Sequence, residues 1–171
     1  MSEYGALSLG IEGAVNRELP FWLPRFGFCL ALDGSMSDVS YYGREERETY
    51  ADKFHYARTR AYRTDVDGLF EFYEKPQTCG VRTGVRSLSL EGGGSRLSAV
   101  GDGFDFSVTR YSDEQMANTA HHCQLRDEGV LYLHLDYKVS GVGSTSCGSN
   151  QIPNELKITA GEHIDFDVCI G

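Results

Sequence analysis

The chain carries 25 Asp and Glu side chains in 171 residues. Glycoside hydrolysis needs only two carboxylates, roughly 5 to 10 Å apart, so the acids alone locate no site. His121 and His122 stand side by side and invite a metal. Adjacent residues after a helix point different ways, however, and no third ligand lies at a familiar spacing. They read better as hydrogen-bonding histidines, and His134, set between Leu133 and Leu135, as a structural one. No G-x-S-x-G elbow presents a serine nucleophile. Gly141-Val142-Gly143-Ser144 is glycine-rich but opens no helix, so it is not a phosphate loop. Aromatics are denser: Tyr41, Tyr42, Tyr50, Tyr56, Tyr62, Phe72 and Tyr73 crowd one segment. Aromatic faces beside polar groups bind sugars, but the same side chains build β-sheet cores. The residues alone favour the core.

The elements that must position these groups are strands. Leu7, Leu9 and Ile11 alternate with small or polar residues, as do Phe26, Phe28, Leu30 and Leu32. The pattern returns at Leu88 and Leu90, at Phe104, Phe106 and Val108, and at Ile164, Phe166, Val168 and Ile170. Leu131, Leu133 and Leu135 place Tyr132, His134 and Asp136 on the opposite face, which the period of two assigns to water. Twenty glycines punctuate the chain. Turns are expected at Asp33-Gly34, Asp67-Gly68, Gly92-Gly93-Gly94, Asp102-Gly103 and Ala160-Gly161. One short helix is expected near 112–121, with Ser112 as N-cap and Gln115 completing a capping box. The fold expected is an all-β antiparallel sandwich in a single domain over residues 1–171.

Composition narrows the function. A formal net charge of −9 without a basic cluster gives no footprint for a phosphate backbone, so no nucleic-acid partner is expected. The apolar runs are too short to span a membrane, and residues 1–10 show no signal peptide. Cys29, Cys79, Cys123, Cys147 and Cys169 are odd in number and form no CxxC pair. They read as reduced cysteines packed as small hydrophobes in a cytoplasmic protein, and no metal or cofactor is expected.

Residues 41–53, YYGREERETYADK, resemble the W-Y-G-R-G-P-x-E-N-Y-x-D-R signature in the C-terminal domain of family 2 β-galactosidases. Tyr42, Gly43, Arg44, Glu48, Tyr50 and Asp52 match it. Leu23-Pro24-Arg25-Phe26-Gly27 resembles the family's L-P-R-x-G strand, and Pro76-Gln77 with Gly80, Arg82, Val85 and Arg86 follows its P-Q-E-x-G-x-R-x-x-V-R. Phe104 to Ser107, Tyr111, His121 and Leu125 come in the family's order. So do Leu135-Asp136, Gly141-Val142-Gly143 and Ser146-Cys147-Gly148. Departures are Glu45-Glu46 for Gly-Pro, Thr49 for Asn, Lys53 for Arg, and Thr78 for Glu. Cys147 stands where some relatives carry an aromatic that lines the sugar site.

The resemblance implies a galactose-mutarotase-like supersandwich and an accessory role on a catalytic barrel that this chain lacks. The chain resembles the C-terminal greater part of the family's domain, without its opening strands. It is expected to be inert alone, to meet galactoside only through the whole enzyme, and to form a homo-oligomer through an uncovered edge. Gly141, Gly143, Ser146 and Cys147 are candidates for a loop on the substrate side, with Cys147 the most readily alkylated cysteine. Arg44, Glu48, Asp52, Arg82 and Arg86 are candidates for a polar network between strands. The alternative on the same fold is an aldose epimerase or carbohydrate-binding module, with His121, His134 or His163 opposite Glu155 or Glu162.

Overall fold

The computed structural model describes residues 5–142 and 152–171. The strands, all paired antiparallel, are β1 (Leu7–Ala14), β2 (Arg25–Asp33), β3 (Asp38–Arg44), β4 (Thr59–Asp65), β5 (Arg82–Gly92), β6 (Ser95–Thr109), β7 (Val130–Val139) and β8 (His163–Ile170). Two short helices interrupt them, α1 (Val66–Leu69) and α2 (Asp113–Asn118). No helix among the described residues is long and apolar enough to cross a membrane.

The organising element is β6, 15 residues long. Along one side it pairs with β5 through the turn at Gly92-Gly93-Gly94. Along the other side, Ala99 and Val100 pair with β8, and Asp105 to Thr109 pair with β7. The exchange of partners falls at Gly101-Asp102-Gly103. There Gly103 takes a φ of +105°, which an L side chain hardly adopts. The sheet thus divides into a β1–β8 wing and a β2–β7 wing, both continuous with β5, β3 and β4. The wings close on one core. Phe166 of β8 packs its ring 6.1 Å from Phe28 of β2. Phe104, Phe106, Leu88, Leu90, Leu131, Leu133, Leu135 and Val168 are each at most 2% exposed. Burying each such side chain contributes about 1.5–3 kcal/mol. The fold is the expected all-β sandwich, with little helix.

Several local expectations change. Asp67-Gly68 lies inside α1 rather than in a turn; Asp65 caps that helix by accepting the Gly68 N–H at 2.6 Å. Asp102-Gly103 bends β6 without reversing it. Ser112 does cap α2, accepting the Gln115 N–H at 3.1 Å, but the Gln115 side chain bonds the Arg126 backbone instead of closing a capping box, and the helix stops at Asn118. The far face of β7 is not in water: His134 is 7% and Asp136 1% exposed. Since β7 lies between β2 and β6, Arg25 and Ser107 from those neighbours cover that face.

The cysteines also differ from expectation. Cys79 is buried, but Cys29, Cys123 and Cys169 are exposed. Cys29 and Cys169 occupy outward positions of β2 and β8, so they are not core hydrophobes. Cys147 is therefore not singled out by the burial of the others, and it lies outside the described residues.

The tyrosine-rich segment forms β3, β4 and the loops around them, and its aromatics divide. Tyr41 and Tyr62 are buried, with rings 5.3 Å apart, and Tyr41 meets Phe106 edge-on at 5.2 Å. Tyr42, Tyr56, Phe72 and Tyr73 are exposed.

Candidate functional site

Segments far apart in sequence meet where β7 ends. Ser140 donates through Oγ to the Leu23 carbonyl at 2.7 Å and through its N–H to the Pro24 carbonyl at 2.8 Å. Its hydroxyl accepts the Ile158 N–H at 3.0 Å. The Gly141 N–H reaches the Leu156 carbonyl at 2.9 Å, and the Val142 N–H reaches Asp52 Oδ1 at 3.1 Å. Gly141 is buried against Asp52: a Cβ there would lie 2.8 Å from the Asp52 carboxyl carbon. Only glycine fits this approach. The root of the 141–149 segment is therefore held by β2's entrance, by Asp52 and by the stretch before β8. Gly143, Ser146 and Cys147 lie outside the described residues.

Beside this root is a groove of about 410 Å³, lined in part by Trp22, Arg25, Tyr50, Gln77, Val142 and Ile152. Arg25 forms an ion pair with Asp136 and donates to Ser107 Oγ at 3.1 Å. Burial pushes the Asp136 carboxyl up; Arg25 opposes this without overcoming it. Asp105, also on β6, accepts the N–H groups of Gly84 and Val139, each at 3.1 Å. Burial lifts its pKa to about 7, against those two hydrogen bonds, with Asp136 adding to the rise.

Glu48 is 4% exposed and accepts from Tyr50 at 3.3 Å, Lys53 at 3.0 Å, the Gly80 N–H at 3.1 Å, and Tyr73. Burial alone would raise its pKa; the hydrogen bonds from Tyr73, Lys53 and Gly80 outweigh that and hold it below the usual value. Burial and the Glu48 charge push Tyr50 and Tyr73 well up.

Among the candidate arginines, Arg82 is 1% exposed and donates twice to the Glu46 carbonyl, at 3.0 and 2.5 Å. Arg44 lies 4.4 Å over the Phe54 ring and reaches Thr83 at 3.4 Å. Arg86 is exposed. The described partners of Glu48 are thus a lysine, two tyrosines and a backbone amide, and those of Arg82 are backbone.

Lys53, Asp105 and Trp22 are not singled out by residue type, and Tyr73 only as one of a crowd of aromatics. Their roles arise from strand register and loop closure across distant segments, which spacing does not display.

The histidines are dispersed. His121 meets Glu74 at 3.0 Å, while His134 lies near Cys29 and Asp113 at 3.7 and 3.6 Å. Glu162 accepts from Lys138, Tyr137 and the Thr159 N–H. No described hydrogen bond or ion pair joins His121, His134 or His163 to Glu155 or Glu162.

The molecule is an all-β sandwich domain that gathers its recognisable segments around one loop root. It belongs to the beta galactosidase small chain family, whose pattern it matches over residues 2–170. It is 34% identical over 165 residues to a beta-galactosidase of Actinobacillus pleuropneumoniae, covering 96% of this chain and 16% of that protein. With a Staphylococcus xylosus beta-galactosidase it shares 33% over 163 residues, covering 95% and 16%. With one of Vibrio cholerae it shares 32% over 153 residues, covering 90% and 14%. The chain thus spans about a sixth of the length of these relatives.

Proposed function

We propose that the chain acts as an accessory C-terminal domain of a cytoplasmic β-galactosidase that hydrolyses terminal β-D-galactosides. In this proposal it packs on the catalytic barrel and other domains and lends the 141–149 loop to the active-site mouth. It is inert alone, because the acid/base and nucleophile carboxylates belong to the barrel. The observation that carries the proposal is the pairing of a nearly full-length small-chain match with coverage of only 16% of the relatives. The firmly held loop root, fixed by Asp52, Ser140 and Gly141, supports it. The chain would then be the C-terminal greater part of the family domain.

The test is complementation. The purified chain is assayed with a chromogenic β-galactoside alone, and then with a parent polypeptide truncated before this domain. Activity only in the mixture is expected. Hydrolysis by the isolated chain, or full activity of the truncated parent without it, would overturn the proposal.

A further inference from the structure

Among the described residues the most exposed large hydrophobic side chain is Phe72, at 65%. It does not stand alone. Its ring meets Phe70 edge-on at 5.0 Å and His122 at 5.9 Å, and Phe70 meets Tyr111 at 5.2 Å. Phe70, Tyr111 and His122 are half-buried, so three supporting rings hold one on display. The frame beneath them is fixed. α1 ends at Leu69, directly before the patch, and packs on β4 and β6. Lys75 donates to the Thr119 carbonyl at 2.6 Å and the Ala117 carbonyl at 3.2 Å, at the C-terminal end of α2. The His122 N–H reaches the Glu74 carbonyl at 3.2 Å, and His121 meets the Glu74 carboxylate at 3.0 Å. A contiguous aromatic patch on such a frame has the anatomy of a contact surface. Covering it removes apolar area from water, and little ordering opposes binding.

The charges around the patch decide what fits it. Asp67 and Asp127 both pair with Arg110 and lie close enough to act on Tyr111, so one negative charge is left over there. Glu71 and Glu74 flank Phe72 along the chain. A second copy would bring the same carboxylates into the contact, and anionic lipid headgroups would meet the same repulsion. An apolar surface edged with Lys or Arg is the complementary partner. Other polypeptide is available to supply it, since the chain spans only about a sixth of the length of its relatives.

We propose that the patch of Phe70, Phe72, Tyr111 and His122 is the face by which this domain docks on the remainder of the parent polypeptide, against an apolar surface edged with basic side chains. The proposal rests on the accessory reading and names the contact that reading needs. None of these four residues lines the groove beside the 141–149 loop root, so the docking face is distinct from it.

The test reads binding rather than hydrolysis. The full 171-residue chain is titrated calorimetrically into the parent polypeptide truncated before this domain. Saturable binding is expected. Phe72→Ala should weaken it at least about tenfold, as loss of a central aromatic anchor does. Phe72→Glu should weaken it further by adding a like charge to the acidic surround, and raised salt should weaken the wild-type contact by screening. Val100→Thr, at an exposed apolar position on β6 outside the patch, should bind as the wild type does. Phe72 is mostly in water, so the melting temperature of both its variants should hold. No binding by the wild-type chain, equal binding by the wild type and both Phe72 variants, or an equal loss with Val100→Thr would overturn the proposal. Binding that Phe72→Ala abolishes, in a mixture that never hydrolyses a β-galactoside, would leave the docking face standing and sink the accessory reading. Activity restored equally by the wild type and both Phe72 variants would do the reverse.

Discussion

Glu45 has a φ of +45°, the left-handed region, at the position where the signature it resembles carries glycine. A side chain there costs about 1–2 kcal/mol. Part of that is recovered by its carboxylate, which accepts the Arg58 N–H at 3.3 Å on the surface. Replacing Glu45 with Gly removes the steric cost but adds freedom to the unfolded chain. Glu45→Gly should therefore stabilise the chain by a net ~0.5 kcal/mol, read as a higher midpoint in urea. Asp105 offers a pH test. Its pKa rises from 3.8 to about 7 through burial. Below pH 3.8 both states hold the proton; between there and about 7 only the unfolded chain releases it. Stability from this group therefore falls as pH rises through that window and is flat above it. His134, lowered to about 4 by burial, tilts the other way from pH 4 to 6.5. The difference between wild type and Asp105→Asn isolates the aspartate. The variant's disadvantage should shrink as pH rises from 4 to 7, measured by urea unfolding at several pH values. A constant difference would mean that Asp105 titrates normally.

At the scale of elements, six strands are visible as alternation, and α2 is visible from its N-cap, Ser112. β3 and β4 are not. Tyr41 and Tyr62 point inward and Tyr42 outward, but tyrosine suits either environment, so the period is blurred. The far face of β7 was misassigned for a different reason. Alternation tells which residues share a face, but not whether a neighbouring strand's Arg25 covers it. The candidate site was partly legible. The motifs name Asp52 and Gly141, but the hydrogen bond from the Val142 N–H to the Asp52 carboxylate is visible only once two distant loops meet. The α2 cap is directly testable: Ser112→Ala should cost about 1 kcal/mol in chemical unfolding. Among the four described cysteines, alkylation should reach Cys79 last, since burial both encloses it and raises its thiol pKa to about 11. Mass spectrometry after brief iodoacetamide treatment reads the order.

For the whole molecule, the divided sheet ends in three borders among the described residues. β1 pairs only with β8, β2 only with β7 and β4 only with β3, and of these β1 and β2 carry alternating apolar residues. The apolar residues on these strands are incompletely covered. Leu9 and Ile11 on β1, and Phe28, Leu30 and Leu32 on β2, pack against the core yet remain half-buried, and Leu7 is 56% exposed. By contrast, Leu131, Leu133 and Leu135 in the interior of the sheet are fully buried. A flat apolar edge is a template for another strand. In relatives about six times as long, other polypeptide is available to meet it. The isolated chain should therefore self-associate as its concentration rises. Sedimentation velocity should show a weight-average mass above 19.0 kDa that grows with loading. Leu7→Lys places a charge on the free strand without touching the core, and should shift the profile toward monomer with the melting temperature unchanged. A wild-type chain that stays strictly monomeric at every loading would show that these borders close on themselves in solution, and that no further strand is needed to complete the sandwich.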